Sequence, residues 1–515
     1  MTIASFAALR NYVQENAGAA SHELASFVPA YFDSADPDEV QSRGPATLMA
    51  IANAHLRLLD TPRNPDGARI RVFNPTIAED GFSSEHTVIQ IVQDDMPFLV
   101  DSVTMAVNRS GRIAHWIVHP LLVIERDDDN RISQTLLANS QGQQFGQVES
   151  FILVECDRIA QEDERSAMAT ELARVLGDVR ATVTDWPAML SRLQVVCDAA
   201  QQSSLSAVGK QEGIEFLRWL EDKHFTFLGA RDYELSREGD FINLVAVPQS
   251  GLGILRGDAS TPISRLPVDA HVFLDADQLV LVTKAMTRAT VHRPAWLDYI
   301  GIKRFDDTGR VVGESRFLGL YTSKAYAAPV AEIPRIRRHA ADVMATAGVV
   351  PESHAAKSLQ VILDAYPRDE LFQVDTDTLT NHAIGILRLQ ERQRTRIFLR
   401  RDPFGRFTSV QVFVPRDRYN TELRTRMGQE LSQALDGQSV EFTPMLTDNP
   451  LARIHYLIRA RQQAPRNPDV AALESRIANI ARRWEDDCKQ ALIQSLGESQ
   501  GLLLTGRFAS AFSAA

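Results

Sequence analysis

With 515 residues the chain is too long for one hydrophobic core, and at roughly 100 to 200 residues per domain it should hold several. Its 44% hydrophobic and 23% charged residues are ordinary globular values, and a net charge of −11 argues against general nucleic-acid binding. Cys156, Cys197 and Cys488 are too scattered for a disulfide framework or a cysteine-rich zinc site, which points to a reducing cytoplasm. The N-terminus lacks the basic and apolar segments of a signal peptide, and no run of about 18 apolar residues implies a membrane span.

Residues Ile3 to Asp60 read as helices broken at Asp36-Pro37 and Gly44-Pro45, and Thr61 to Gly67 as a linker. Next comes a strand from Val88 to Val92, stopped by Gln93-Asp94-Asp95, then a helix carrying Leu99, Val100, Val103, Ala106 and Val107 and ended by Gly111. Pro97 suits a first helical turn, and Asp94 and Asp95 complement the positive helix end. His115 to Asp127 is a second strand, Asp127 to Asn130 a turn, and Val148 to Cys156 a third strand. Glu162 to Val175 is a second helix and Asp185 to Ala200 another, leading to a Gln/Ser-rich linker at Gln201 to Gly209. This β-α-β-β-α order is one strand short of a ferredoxin-like unit; the missing strand is expected after Gly177 or from another part of an assembly.

A helix within residues 212–224 opens a strand-rich section. Its five strands, FTFLGARDYEL, FINLVAVPQ, LVLVTKAM, DYIGIKRFDD and VVGESRFLGLYTS, include a hairpin turned at Asp306 to Gly309 and suit a PAS-like antiparallel unit. Ile333 to Leu363 turns helical. From Arg394 onward the pattern is β-β-α-β-β, its helix running from Asn420 to a terminal Gly437, followed by a helix capped at Asn467-Pro468. The end of the chain at FASAFSAA reads as a cut rather than a natural terminus.

Motifs for chemistry are missing. Gly251-Leu252-Gly253 does not complete a dinucleotide fingerprint, and there is no Walker loop, His-Glu-x-x-His pair or Gly-x-Ser-x-Gly elbow. His115 and His119 lie on a strand, roughly 13 Å apart, too far for one metal ion. His292 and Arg293 read as loop residues or an anion contact. From Glu391 to Arg426 ten arginines stand against four acids, interleaved with Phe398, Phe404, Phe407, Phe413 and Tyr419. They form either a phosphate or RNA face, in which Arg400, Arg401 and Arg406 would act, or, alternating with apolar residues on strands, they line one solvated face or pair with acids of a neighbouring domain; the acidic remainder of the chain favours the second reading. No catalytic, cofactor-binding or metal residue is therefore assigned. The turn at Asp94, Asp95, Pro97, Phe98, Asp101 and Ser102 remains, read either as a ligand site at a helix start or as packing.

The segment QDDMPFLVDSV from Gln93 resembles the large bacterial NAD-specific glutamate dehydrogenases. So do HRPAWLDYIGIKRFD from His292, GESRFLGLYTS from Gly313, YPRDELFQ from Tyr366 and RRDPFGRFTSVQVFVPRDRYNT from Arg400. The resemblance implies an α+β multidomain segment: ferredoxin-like ACT-type units and a PAS-like unit joined by helical segments. The expected division is 1–67 helical, 68–200 ACT-like, 210–330 PAS-like, 331–392 helical linker, 393–465 a second ACT-like unit, and 466–515 the start of another helical segment. It further implies a regulatory and oligomerisation role, without catalysis in this segment, in an enzyme that oxidatively deaminates L-glutamate to 2-oxoglutarate and ammonia with NAD. Expected partners are the rest of that enzyme and other copies of it through the ACT-like units, with an amino acid as candidate effector, and neither nucleic acid nor membrane. A stand-alone ACT/PAS metabolite sensor is the alternative, and an RNA-binding protein a third reading. Amino-acid-binding ACT domains carry Asp-x-Pro-Gly-x-Leu at this turn. Here Asp95 and Pro97 match, but Phe98 replaces the glycine, which favours packing over close ligand approach.

Overall fold

Strand β2 (Thr87–Asp94) is buried on both faces, which is why apolar residues stand on either side of Gln90 without alternating with exposed ones. The computed structural model that shows this describes residues 2–16, 22–59, 67–126, 132–137, 147–203, 207–238, 241–257, 264–266, 278–389, 392–445 and 449–508. Val88 and Val92 face a cluster built from four N-terminal helices, Thr2–Asn16, His22–Tyr31, Pro37–Arg43 and Pro45–Leu56. Ile89 and Ile91 face the opposite cluster, where Leu99, Val103 and Val107 of the helix Leu99–Arg109 pack with Leu172, Val175 and Val179. Asp36 caps the third N-terminal helix and Gly44, at φ 76°, turns the chain into the fourth, so both expected breaks are present.

The first sheet corrects the expected strand count. The strand missing from the ferredoxin-like order lies upstream, as β1 (Arg69–Phe73), antiparallel to β2 with Ile70 opposite Ile91. The expected strand from His115 to Asp127 is broken at His119-Pro120 into β3 (Ala114–Val118) and β4 (Leu121–Arg126), since proline cannot donate to the ladder. Both pair end to end with β6 (Gln147–Cys156), and β5 (Ile132–Leu137) lies beyond β4. The turn at 127–130 lies outside the described residues, as does most of the linker from Thr61 to Gly67.

No strand follows Gly177. Residues Glu162–Gln202 form one 41-residue helix, because Leu172, Val175, Leu176, Val179 and Thr182 keep helical spacing through the glycine. Its first half covers the first sheet, and Met189, Leu193 and Cys197 of its second half enter the core of the next unit. Between them, Thr182 donates to the carbonyl of Leu228 at 3.0 Å and Asp185 accepts from the backbone N–H of Gly253 at 2.8 Å.

The second sheet runs β10-β8-β7-β13-β12-β11, with the short β9 (Leu252–Gly253) added against β7. These are β7 (Phe225–Glu238), β8 (Phe241–Ala246), β10 (Ser264–Leu266), β11 (Val280–Arg288), β12 (Trp296–Phe305) and β13 (Val311–Tyr321). All five strands read from the sequence are present, and Asp306 anchors the β12–β13 hairpin by accepting from the N–H of Thr308 and of Arg310, each at 2.9 Å. Helices Ile336–Thr346, His354–Asp364 and Thr376–Leu389 extend this core.

The third sheet is β14 (Arg396–Arg401), β15 (Phe407–Pro415), β17 (Leu451–Ala460) and β16 (Gly437–Met445), in that order. The helix Thr421–Ala434 is capped by Asn420, whose side chain accepts from the N–H of Leu423 at 2.7 Å. The expected terminal glycine belongs instead to β16; Asp436, at φ 50°, makes the reversal. The next helix, Val470–Ile480, is capped by Asp469 rather than at Asn467-Pro468.

Candidate functional site

Phe98 has φ 75° and ψ 4°, a left-handed conformation at the start of the helix Leu99–Arg109 and the one a glycine would hold without cost. Its ring lies 5.0 Å from the imidazole of His292, itself at φ 77°, in the loop between β11 and β12. The backbone N–H of His292 donates to the hydroxyl of the buried Ser102 at 3.1 Å, and the exposed Asp101 stands 3.7 Å from His292 Nδ1. Arg109, at the other end of the helix, donates to the carbonyl of Ala289 at 2.7 Å, and Thr290 donates to Asp178 at 2.8 Å. Phe98, Asp101 and Ser102 are thus gathered against one loop of the second unit. Asp94 is held apart by Arg180 at 3.1 Å, while the side chains of Asp95 and Pro97 are exposed. His115 pairs with Asp157 and His119 with Ser150, and among the described residues no group of three His, Cys, Asp or Glu could hold a metal.

A second constellation was not singled out by the sequence. Lys284 and Asp298 sit directly opposite on β11 and β12, both nearly closed to water, with Nζ 2.6 Å from the carboxylate. Asp369, from the short helix Arg368–Leu371, completes the cluster at 3.3 Å from Lys284 and accepts from the Tyr326 hydroxyl at 2.7 Å. Burial would discharge Lys284, but the two carboxylates outweigh it and hold the ammonium above its ordinary range. Burial raises Asp298, with Lys284 opposing; for Asp369 the same lysine and the tyrosine overcome burial and keep the carboxyl below its usual range.

The neighbouring Glu370 carries the seam into the third unit. It receives Arg400 through Nε at 2.7 Å and Nη2 at 2.8 Å. Arg400 and His455 overcome the burial penalty and lower the Glu370 carboxyl to about 2. Arg406 forks onto Asp402 at 2.9 and 3.0 Å, and both reach the hydroxyl of Thr283 at 2.8 Å. Arg400 and Arg406 are therefore committed to internal pairs, the former with a carboxylate of the preceding helical segment, which is one of the two arrangements expected of an arginine face that does not bind phosphate. The signal available in the sequence was a charge within each apolar strand, Lys284 in LVLVTKAM and Asp298 in WLDYIGI.

Segments quoted above for their family resemblance supply these groups: Asp298, Asp369, Glu370, Arg400 and Arg406 all lie in them. Family models agree. The glutamate dehydrogenase ACT1 domain matches residues 27–172, helical motif 1 residues 333–392 and the ACT2 domain residues 396–485. The chain belongs to the glutamate dehydrogenase family. It is 38% identical to the NAD-specific glutamate dehydrogenase of Halomonas elongata over 88% of this chain and 28% of that protein. It is 34% identical to that of Pseudomonas aeruginosa, over 96% and 31%, and 27% identical to that of Mycobacterium tuberculosis, over 91% and 29%. The chain thus spans less than a third of the length of these dehydrogenase relatives. No helix among the described residues is long and apolar enough to cross a membrane.

Proposed function

We propose that this chain is the regulatory and assembly segment of a cytoplasmic NAD-specific glutamate dehydrogenase, and that deamination of L-glutamate with NAD is carried out by another part of the enzyme. What most supports the reading is the match to two ACT-domain models on a chain that spans so little of its relatives, joined to an ionic seam that locks the intervening unit to the second of them. A buried seam built from paired charges transmits position rather than chemistry, because each group that could act on a substrate is already satisfied. The turn at Phe98 belongs to the same role: it docks the first unit on the loop around His292, as packing and not as a pocket for an amino acid. Homo-oligomers would form through the ACT-like units.

Two measurements on the 515-residue chain test this. NADH formation from L-glutamate should be absent, and native mass spectrometry should show a homo-oligomer. Turnover by the chain alone, or a strictly monomeric chain, would sink the proposal. A saturating one-site heat on titration with proteinogenic amino acids, lost in Phe98→Ala, would replace the packing role of the turn with effector binding.

A further inference from the structure

A cavity of about 490 Å³ lies where the edge strand β11, the helices after Pro334 and the end of β14 meet. Arginines reach it from two sides, Arg335 and Arg338 from the helix start and Arg401 from β14. None of the three has a carboxylate within ion-pair distance among the described residues, although nearly every arginine of the seam does. Arg335 has only the carbonyl of Val280, 3.1 Å from Nη1, and burial that no carboxylate offsets lowers its guanidinium to about 10. At the cavity His339 Nδ1 is buried without a hydrogen-bond partner, while the Arg401 guanidinium turns toward Gly405 and donates from Nε to the carbonyl of Ala464 at 3.0 Å. His339 is held neutral, its value lowered to about 4 by burial and then by Arg335 and Arg338.

The local backbone is bent to this arrangement. Arg335 has φ 67° and ψ −49°, a costly region for an arginine, and its N–H is fixed by the carboxylate of Glu212, which Arg337 holds from the other side at 2.9 Å. Against the arginines stands an apolar wall, Leu279, Val282 and Val374. Asp375, also at the rim, is occupied with the N–H of Thr378 at 2.8 Å.

We propose that this cavity binds a small organic anion, its phosphate or carboxylates held by Arg335 and Arg338 and its body against the apolar wall. Guanidinium forks match both oxyanions, and neither Arg335 nor Arg338 has a carboxylate within ion-pair distance among the described residues to answer its charge. The site lies in this chain's own fold and does not depend on the dehydrogenase reading. Because its walls come from three units, an occupant would brace their junction.

Calorimetric titration of the 515-residue chain with inorganic phosphate, AMP and glutarate tests it. The expected result is one saturable site for AMP or glutarate, at least about tenfold weaker in Arg335→Gln, as loss of a charge-assisted hydrogen bond predicts. Arg338→Gln, at an exposed position, should weaken the same probe severalfold and decides the matter if Arg335→Gln fails to fold. AMP binding with no response to glutarate assigns a phosphate ligand, and the reverse assigns a carboxylate. No saturation by any probe up to about 10 mM, or binding unchanged in both variants, overturns the proposal.

Discussion

Arg400 and Glu370 meet in two parallel hydrogen bonds, 2.7 and 2.8 Å long, with both side chains at 5% exposure or less. One comes from the third sheet and the other from the helical segment before it, so the pair fixes the angle between two units. Such a pair gains little over an apolar contact of the same shape, yet leaving one member alone is severe. Arg400→Met should therefore destabilise the chain by about 3–5 kcal/mol in urea unfolding, and Glu370→Gln by a comparable amount, since it leaves a buried guanidinium that cannot give up its charge. The double variant Arg400→Met/Glu370→Leu should recover much of the loss. Additive losses in the double variant would show that the two residues do not act as a pair.

Phe98 sets two effects against each other, packing on His292 and a left-handed backbone that costs a non-glycine residue about 1–2 kcal/mol. Phe98→Ala loses the ring and keeps the strain; Phe98→Gly loses the ring and relieves it. Phe98→Gly should therefore be the more stable of the two by about 1 kcal/mol. Thermal unfolding of the two variants side by side measures this, and a less stable glycine variant would mean the turn is not strained.

Much of the fold was legible where the hydrophobic period changed. The switch from the run at Val88–Val92 to helical spacing at Leu99–Val107 gave the turn, and Asp306 to Gly309 gave its hairpin. What escaped was what depends on partners far along the chain. Strand β1, RIRVF, is short and mostly half-exposed, and only its pairing with β2 makes it a strand. Pro120 signalled a break that the apolar residues on either side concealed. For the seam, each charge was visible but its partner was not: Lys284 and Asp298 are opposed by the β11–β12 register, and Asp369 arrives from a helix more than seventy residues on. A register and a domain contact are three-dimensional facts, and a lone charge in a strand hints only that something must answer it.

Lys284→Met tests whether the second cluster is as tightly coupled. Removing the ammonium leaves the buried Asp298 beside the half-buried Asp369 without a counter-charge, which favours proton uptake by Asp298. The variant should lose about 3–5 kcal/mol at pH 7 and regain part of that on acidification to pH 5, the opposite of the unmodified chain. Urea unfolding at the two pH values reads the sign; a loss that does not shrink on acidification would mean that the two carboxylates do not share the lysine's charge.

Histidines lowered by burial shape the pH response of the unmodified chain: His119, His224 and His455 as well as His55, His339 and His382. His55 lies between the Tyr31 hydroxyl at 2.6 Å and the carbonyl of Ile91 at 3.2 Å, and burial lowers it to about 3. His339 and His382 are lowered to about 4, again chiefly by burial. Each is depressed below its unfolded value of 6.5, so the folded state binds fewer protons than the unfolded one between these limits. The stability they contribute is whole above pH 6.5 and is lost as pH falls, by about 2 kcal/mol at pH 5 for each of His55, His339 and His382. Asp298, raised by burial, works in the opposite direction over the same range, so the net slope is smaller than the histidine sum. The difference between variants isolates one site. In His55→Gln the amide can accept from Tyr31 and donate to Ile91 without titrating, and the fall in melting temperature from pH 7 to pH 5 should become shallower than in the unmodified chain. An unchanged slope would mean that the His55 pKa is not depressed in the fold, since a histidine that titrates alike in both states exerts no linkage.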